Sequence, residues 1–331
     1  MTASSATSSA RHPGKRPLPA GGDRDIPDKA NGPRPVPPKH GRHLSDRTFG
    51  FLLTLPAVVL FAAIVLYPLI GSLTTSLFQQ SLVIPGRSFV GLDNFRHVLD
   101  DQFWPVLRNT LVFTVFSTAC PFILGFALAL ALNTRLPGRA VLRGAFLFPW
   151  VIPGVVVSFA WLWIFNANYG LLNGVLVQLG LIDAPVSWLG DPTTAMAAVI
   201  VAKTWASFPW IMVMLLAGLQ TVPATLHEAA AMDGAGTLRR FWHITLPHLR
   251  GIIGIVVLLE VIWNFQHFDM IYVLTGGGPA GATTTFAVAV YETAFKGFDL
   301  GRAGALGALW LLLLLVLVVG YVRLAEREEK R

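Results

Sequence analysis

A chain of 331 residues that is 54% hydrophobic and only 13% charged, with a mean hydropathy of +0.60, lies outside the composition of ordinary soluble domains. Its net charge of +7 does not read as a nucleic-acid footprint, because the basic residues sort by position along the chain. A single cysteine, Cys120, excludes an intrachain disulfide.

Residues 1–48 hold eight prolines and nine basic residues with almost no apolar content, too little to offset the entropy of ordering, so a disordered tail is expected. Its dispersed charges either attract anionic lipid head groups or only help orient the first span. No secretory signal is evident. The first apolar stretch is long enough to cross a bilayer and reads as a retained signal-anchor helix.

Six apolar stretches follow, at about 49–73, 106–132, 141–165, 194–219, 252–274 and 303–322. Each reaches the roughly 20 residues that a helix needs to cross about 30 Å of hydrocarbon. The expected fold is therefore an all-α polytopic membrane protein with six transmembrane helices, not a barrel of ten-residue strands. Nineteen of the 25 Lys and Arg residues fall before the first span, near 135–143, at 239, 240 and 250, and after the last span. The positive-inside rule then puts both termini, and the short charged tail 323–331, in the cytoplasm of a plasma (inner) membrane protein.

Between the first two spans, Phe89-Val90-Gly91-Leu92-Asp93-Asn94-Phe95 precedes an expected short helix through Phe103 and Trp104. Pro137-Gly138 marks a tight turn between the second and third spans. Pro149 and Pro153 should bend the third. Trp104, Trp150, Trp188, Trp210 and Trp310 fall near expected span ends or outside them and read mostly as interfacial anchors.

The loop after the fourth span is the most informative segment. Pro223 suits a helix start, residues 226–232 are Ala-rich, and Gly234 suits a helix end, so a helix, a turn and a second helix are expected over 223–247. Phe241, Ile244 and Leu246 are spaced to pack that second helix against the spans. Arg239 and Arg240 are expected to face solvent or head groups. His227, His243 and His248 lack a recognised ligand spacing, and no metal is expected.

The fifth span carries Glu260, Asn264, Gln266, His267 and Asp269. At about 100° per residue, Glu260, Trp263, Asn264 and His267 share one side. Ionisable groups at membrane depth face a cavity or a partner. A ring beside amide and imidazole groups suits a sugar, so Trp263, Asn264 and His267 are candidates for a solute path. The competing expectation is that these groups tie helices together, with Lys203 among the partners. Glu260 reads as structural, and Asp269, off the stripe, as a weak candidate. Beyond it, Gly276-Gly277-Gly278-Pro279 reads as a flexible turn able to permit a gate.

Residues 228–247 read EAAAMDGAGTLRRFWHITLP, in which Glu228, Ala229, Ala230, Gly234, Ile244, Leu246 and Pro247 match E-A-A, three residues, G, nine residues, I-x-L-P. This resembles the signature loop of the permease subunits of bacterial binding-protein-dependent ABC importers. Asp233 and Ala235 match its common DGA form. FVGLDNF, the TGGGP turn, and the stretches 291–295 and 298–305 look like carbohydrate-uptake permeases, in particular the larger maltose-permease subunit. The extra amino-terminal spans and large external domain of that subunit are absent here. The resemblance covers about 49–322.

It implies the ABC importer type I permease fold with a cytoplasmic coupling helix. It also implies a second homologous permease subunit, two cytoplasmic ABC ATPases that use ATP and Mg, and an external solute-binding protein. The solute class implied is a sugar or sugar-like molecule: oligosaccharide, monosaccharide, polyol or glycerol phosphate. The chain itself has no phosphate-binding GxxxxGK[ST] loop and no HExxH or GxSxG, so no bound cofactor and no enzyme activity are expected. The alternative is an ion-coupled secondary transporter with Glu260, His267 and Asp269 as a relay, which leaves the loop motif unexplained.

Overall fold

The computed structural model describes residues 45–134 and 137–329, so the expected tail over 1–48 lies outside the described residues except at its end. By internal packing the chain forms two units, Met1–Ala57 and Val58–Arg331. The described part of the first unit is the opening of helix α1 (Asp46–Phe61), whose large apolar side chains, among them Phe51 and Leu53, are exposed.

In the second unit the chain passes through a π-helical turn, Ala62–Leu66, into α2 (Tyr67–Thr75). Proline has no N–H, and its ring displaces the carbonyl one turn earlier. The widened turn directly ahead of Pro68 absorbs that displacement, and the helical run Arg47–Thr75 stays continuous for 29 residues.

The segment after α2 folds as strands β1 (Phe78–Gln80) and β2 (Arg87–Phe89), paired antiparallel with Phe78 opposite Phe89. The expectation of a purely helical chain missed this ribbon, whose strands are three residues each and too short to carry an alternation signal. Next comes α3 (Asp93–Asp101) and then α4 (Phe103–Leu132). The short helix thus lies ahead of Phe103 and Trp104, which open α4 itself. Gln102, at φ −137°, breaks the two apart.

Helices α5 (Arg139–Val151) and α6 (Gly154–Ile164) replace the single third span expected at 141–165 and meet at 94°. Ile152 is extended, as the residue before a proline tends to be, and Pro153 offers no N–H to continue the ladder. Helix α7 (Leu171–Gln178) is followed by α8 (Ala195–Gln220), α9 (Ala224–Met232) and α10 (Thr237–Arg240). A second π-helical turn, Phe241–Thr245, again directly before a proline, leads into α11 (Leu246–Phe265). The expected fifth span, 252–274, is therefore divided. Its helix begins earlier, at Thr237, stops at Phe265 and resumes as α12 (Asp269–Thr275). Helix α13 (Phe286–Tyr291) and α14 (Leu300–Glu329) complete the chain.

Among the described residues, five helical runs are long and apolar enough to cross a membrane, and the α5/α6 pair makes a sixth if it counts as one broken span. Helices α4 and α8 form the centre. Phe113 and Val199 join α6, α12 and α13 to them in one core cluster, while Met212, Leu215 and Leu249 join α11 in a second. A third, with Val98, Phe286 and Leu306, unites α3, α4, α13 and α14.

Candidate functional site

Two places concentrate the sequence candidates, and they lie at opposite ends of α11. The first is the segment 223–247. Pro223 is extended (φ −62°, ψ 128°) and caps α9 rather than lying within its first turn. Alanines carry the helix to Asp233. Gly234, at φ +76°, then donates its N–H to the Ala231 carbonyl at 3.0 Å, and Ala235 donates to the Ala230 carbonyl at 2.8 Å. These two bonds form the Schellman arrangement that ends a helix, and left-handed backbone at the residue after the cap is what selects glycine there.

No residue of α9 is buried. Glu228, Ala229 and Asp233 are exposed, Ala230 and Ala235 are half-buried, and Met232 is 89% exposed. The second limb is held from behind: the Phe241 ring meets Phe126 of α4 with centroids 5.9 Å apart, and Thr245 is buried. Ile244 and Leu246 are half-buried, while Pro247 is exposed in the first turn of α11. Arg240 departs from expectation. It is half-buried and turns back toward α9, with Nη1 3.5 Å from the His227 carbonyl, whereas Arg239 is exposed as expected.

The second place is a cavity of about 170 Å³ where the two helix breaks face each other. Trp150 and Ile152 from the α5/α6 bend, Lys203 and Trp210 from α8, and Glu260, Trp263, His267 and Asp269 from the α11/α12 region line it. The Trp210 and Trp263 rings lie 5.5 Å apart. His267 Nε2 stands 3.3 Å from Asp269 Oδ1, without the alignment of a hydrogen bond, and its ring stacks on Phe113. A side-chain carbon at Gly154 would come within 2.5 Å of Asp269 Oδ2, so this carboxylate sits at the first turn of α6. There a negative charge is favoured by the unsatisfied N–H groups and the helix dipole. Lys203 shares the cavity lining with Glu260, Asp269 and His267, and among the described residues it forms no close ion pair.

The structure separates the residues of the predicted stripe. Trp263 and His267 line the cavity. Asn264 does not: it is 1% exposed, and its Nδ2 faces the Ser117 carbonyl at 3.0 Å, Thr118 Oγ1 at 3.1 Å and Glu260 Oε2 at 3.2 Å. This amide ties α11 to α4. Glu260, read as structural, and Asp269, read as weak, both reach the cavity as well. Asp269 fell off the stripe because helical periodicity does not continue past Phe265, where the helix stops, while Asn264 is taken up by groups of α4 that its own segment does not show. The run Asn264-Phe265-Gln266-His267 was the available signal, since such polar side chains compete with the helical ladder. Trp310 donates its indole N–H to the freed Phe265 carbonyl at 3.2 Å. Trp188 likewise bonds Asn173 Oδ1 at 2.9 Å.

The turn after α12, expected to be a flexible turn able to permit a gate, is held by several hydrogen bonds in this structure. Gly276 (φ +58°) and Gly277 (φ +86°) are left-handed, and a side chain on Gly277 would come within 2.7 Å of Thr284 Oγ1. Thr283 and Thr284 hydroxyls donate to the Gly278 and Gly277 carbonyls at 2.8 and 2.9 Å, and Asn109 of α4 donates to the Gly281 carbonyl at 2.8 Å. The glycines here admit close backbone approach.

Residues 121–330 match the family described as the inner membrane component of binding-protein-dependent transport systems. Among similar proteins, the trehalose/maltose transport system permease MalF of Thermococcus litoralis is 40% identical over 260 residues, covering 78% of this chain and 86% of that one. The sulfoquinovosyl glycerol transport system permease SmoG of Agrobacterium fabrum is 34% identical over 86% of this chain and 93% of its own length. The trehalose transport system permease SugA of Mycobacterium tuberculosis is 34% identical over 80% and 85%. A solved bacterial ABC transporter involved in import of the acidic polysaccharide alginate shares the fold, with a TM-score of 0.73 at 22% identity over 85% of this chain and 96% of that one. Its motif, its helical spans and its relatives agree: the chain belongs to the family of inner membrane components of binding-protein-dependent transport systems, as a non-catalytic permease subunit of an ABC importer.

Proposed function

We propose that this permease carries a sugar or sugar-like solute into the cytoplasm, that α9 is its contact with the ATPase, and that the cavity at the helix breaks lies on the solute path. The single observation behind the reading is the exposed α9, which carries the Glu228-Ala229-Ala230 opening of the motif on a helix with no buried residue, followed at Gly234 by a Schellman turn that fixes its direction. A helix of small residues with Glu228, Ala229 and Met232 outward is the form that a groove in a partner accepts. Ala230, Asp233, Gly234, Ala235, Ile244, Leu246 and Pro247 orient it against the spans.

The solute class rests on the relatives, whose names record trehalose, maltose and sulfoquinovosyl glycerol, and on the cavity, where Trp210 and Trp263 rings flank Lys203, Glu260 and His267. Rings meet the apolar face of a sugar while charged and imidazole groups exchange hydrogen bonds with its hydroxyls. The full machine then contains a second permease subunit, two ATPases and an external binding protein. Residues 49–322 act as the permease domain, with both termini cytoplasmic by the positive-inside rule. The family assignment leaves the ion-coupled alternative without support.

The test is purification of this chain with its neighbouring transporter subunits, as wild type and as Glu228→Arg with Met232→Asp. Wild type should bring down an ATPase and, in proteoliposomes, take up trehalose or maltose with ATP; the variant should lose both. Retention of the ATPase and of uptake by the variant would sink the assignment of α9.

A further inference from the structure

Beyond the cavity, a row of aromatic rings runs from the α11/α12 break across α12 and the π-helical turn Glu292–Lys296. Phe268 stacks on Tyr272 at 4.9 Å, both meet Tyr291 at 5.2 and 4.8 Å, and Tyr291 meets Phe295 at 5.2 Å. The row begins between His267 and Asp269, which line the cavity, and ends at Phe295, which is 58% exposed. Lys296 Nζ lies 5.3 Å over the Tyr272 ring and 2.9 Å from Glu292 Oε1.

We propose that Tyr291 and Phe295 form a stacking platform for a pyranose ring of the solute, placed to receive it outside the cavity and feed it inward. The inference rests on the sugar reading above and adds a second place of contact. Tyr272 is braced by Phe268 on one side and carries the ammonium of Lys296, whereas Tyr291 is half-buried and joins these rings to the exposed Phe295. Rings packed only for stability would be buried throughout; here Phe268, Tyr272 and Tyr291 are half-buried and Phe295 is exposed. A purely lipid-facing patch would not hold the Glu292–Lys296 ion pair and two phenol hydroxyls beside the rings. An apolar surface flanked by a few fixed donors and acceptors is the general form of a sugar contact.

The experiment uses the complete reconstituted transporter with trehalose and maltose as probes, comparing wild type, Tyr291→Leu, Tyr291→Phe and Phe295→Leu. The leucine variants should lower kcat/KM for uptake about five- to tenfold through KM, and Tyr291→Phe should stay within about twofold, because the ring and not the hydroxyl supplies the contact. Wild-type KM in both leucine variants would overturn the platform while leaving the sugar reading intact. Loss of the second permease subunit from Phe295→Leu, the variant with the least packing to lose, would overturn it by making the row an interface between subunits. Failure of wild type to take up either sugar, with the ATPase bound, would overturn the sugar reading and the platform with it.

Discussion

The α9 segment and the cavity sit at opposite ends of one helix and use opposite physics. The first is made of small side chains that are left uncovered, so its information is linear: seven identities over 20 residues and one left-handed glycine. The second is made of polar side chains withdrawn from lipid, and its information lies in two interruptions, at Ile152–Pro153 and at 266–268, that bring distant groups together. A surface that a partner must read can be written in consecutive residues. A cavity has to be assembled from several helices, and no single stretch announces it.

The contrast is sharpest at Gly234. Replacing it with Val forces a β-branched residue into left-handed backbone, a strain of about 1–2 kcal/mol. Uptake should fall about tenfold or more, while Gly234→Asn, which tolerates that conformation, recovers most of it. ATP-driven uptake in proteoliposomes measures both. Equal losses in the two variants would mean that the side-chain surface, not the backbone turn, matters at this point.

At the other end, two adjacent residues should separate stability from transport. Asn264→Leu removes the bonds between α11 and α4 and should lower the stability of the detergent-purified complex by about 1–2 kcal/mol, at the upper end for hydrogen bonds between membrane helices. Trp263→Ala, half a face away and 44% exposed, should leave thermal stability nearly unchanged and raise KM for uptake. If the two variants swap phenotypes, the assignment of Asn264 to the bundle and Trp263 to the path is reversed.

The smallest effect is expected in the loop before α8. Asp191 accepts bonds from the Thr193 hydroxyl at 2.7 Å and the Thr193 N–H at 2.8 Å, which hold its carboxyl below the usual value. A depressed folded-state value means that the contribution is present above the unfolded carboxylate range and is lost as pH falls through the depressed one. Because the group is exposed, Thr193→Val should shift the acid limb of a thermal-stability profile only slightly. A large shift would show that this loop is clamped by more than the turn itself.

The helices were legible because hydrophobic length is a direct count, and the α9 turn was legible because alanine runs and a terminal glycine carry their own mechanism. Asp269 was read as a weak candidate for a different reason. Its place depends on the helix stopping at Phe265, and that stop is held by a tryptophan 45 residues away on α14. Arg240 was misplaced for the same reason, since the carbonyl it approaches belongs to the preceding helix. The short β-ribbon had too few residues to be periodic. Local pattern therefore gave the elements, while contacts distant in sequence decided which side chains share a space.

The unbroken run from Thr237 to Phe265 has a mechanical meaning. At about 1.5 Å per residue its 29 residues measure roughly 43 Å, some 13 Å more than the hydrocarbon they cross. It spans the whole distance between the two places. Its near end emerges beside α9 and its far end carries Glu260, Trp263 and Asn264, so one helical run joins the exposed motif to the cavity wall, interrupted only by the π-helical turn at Phe241–Thr245.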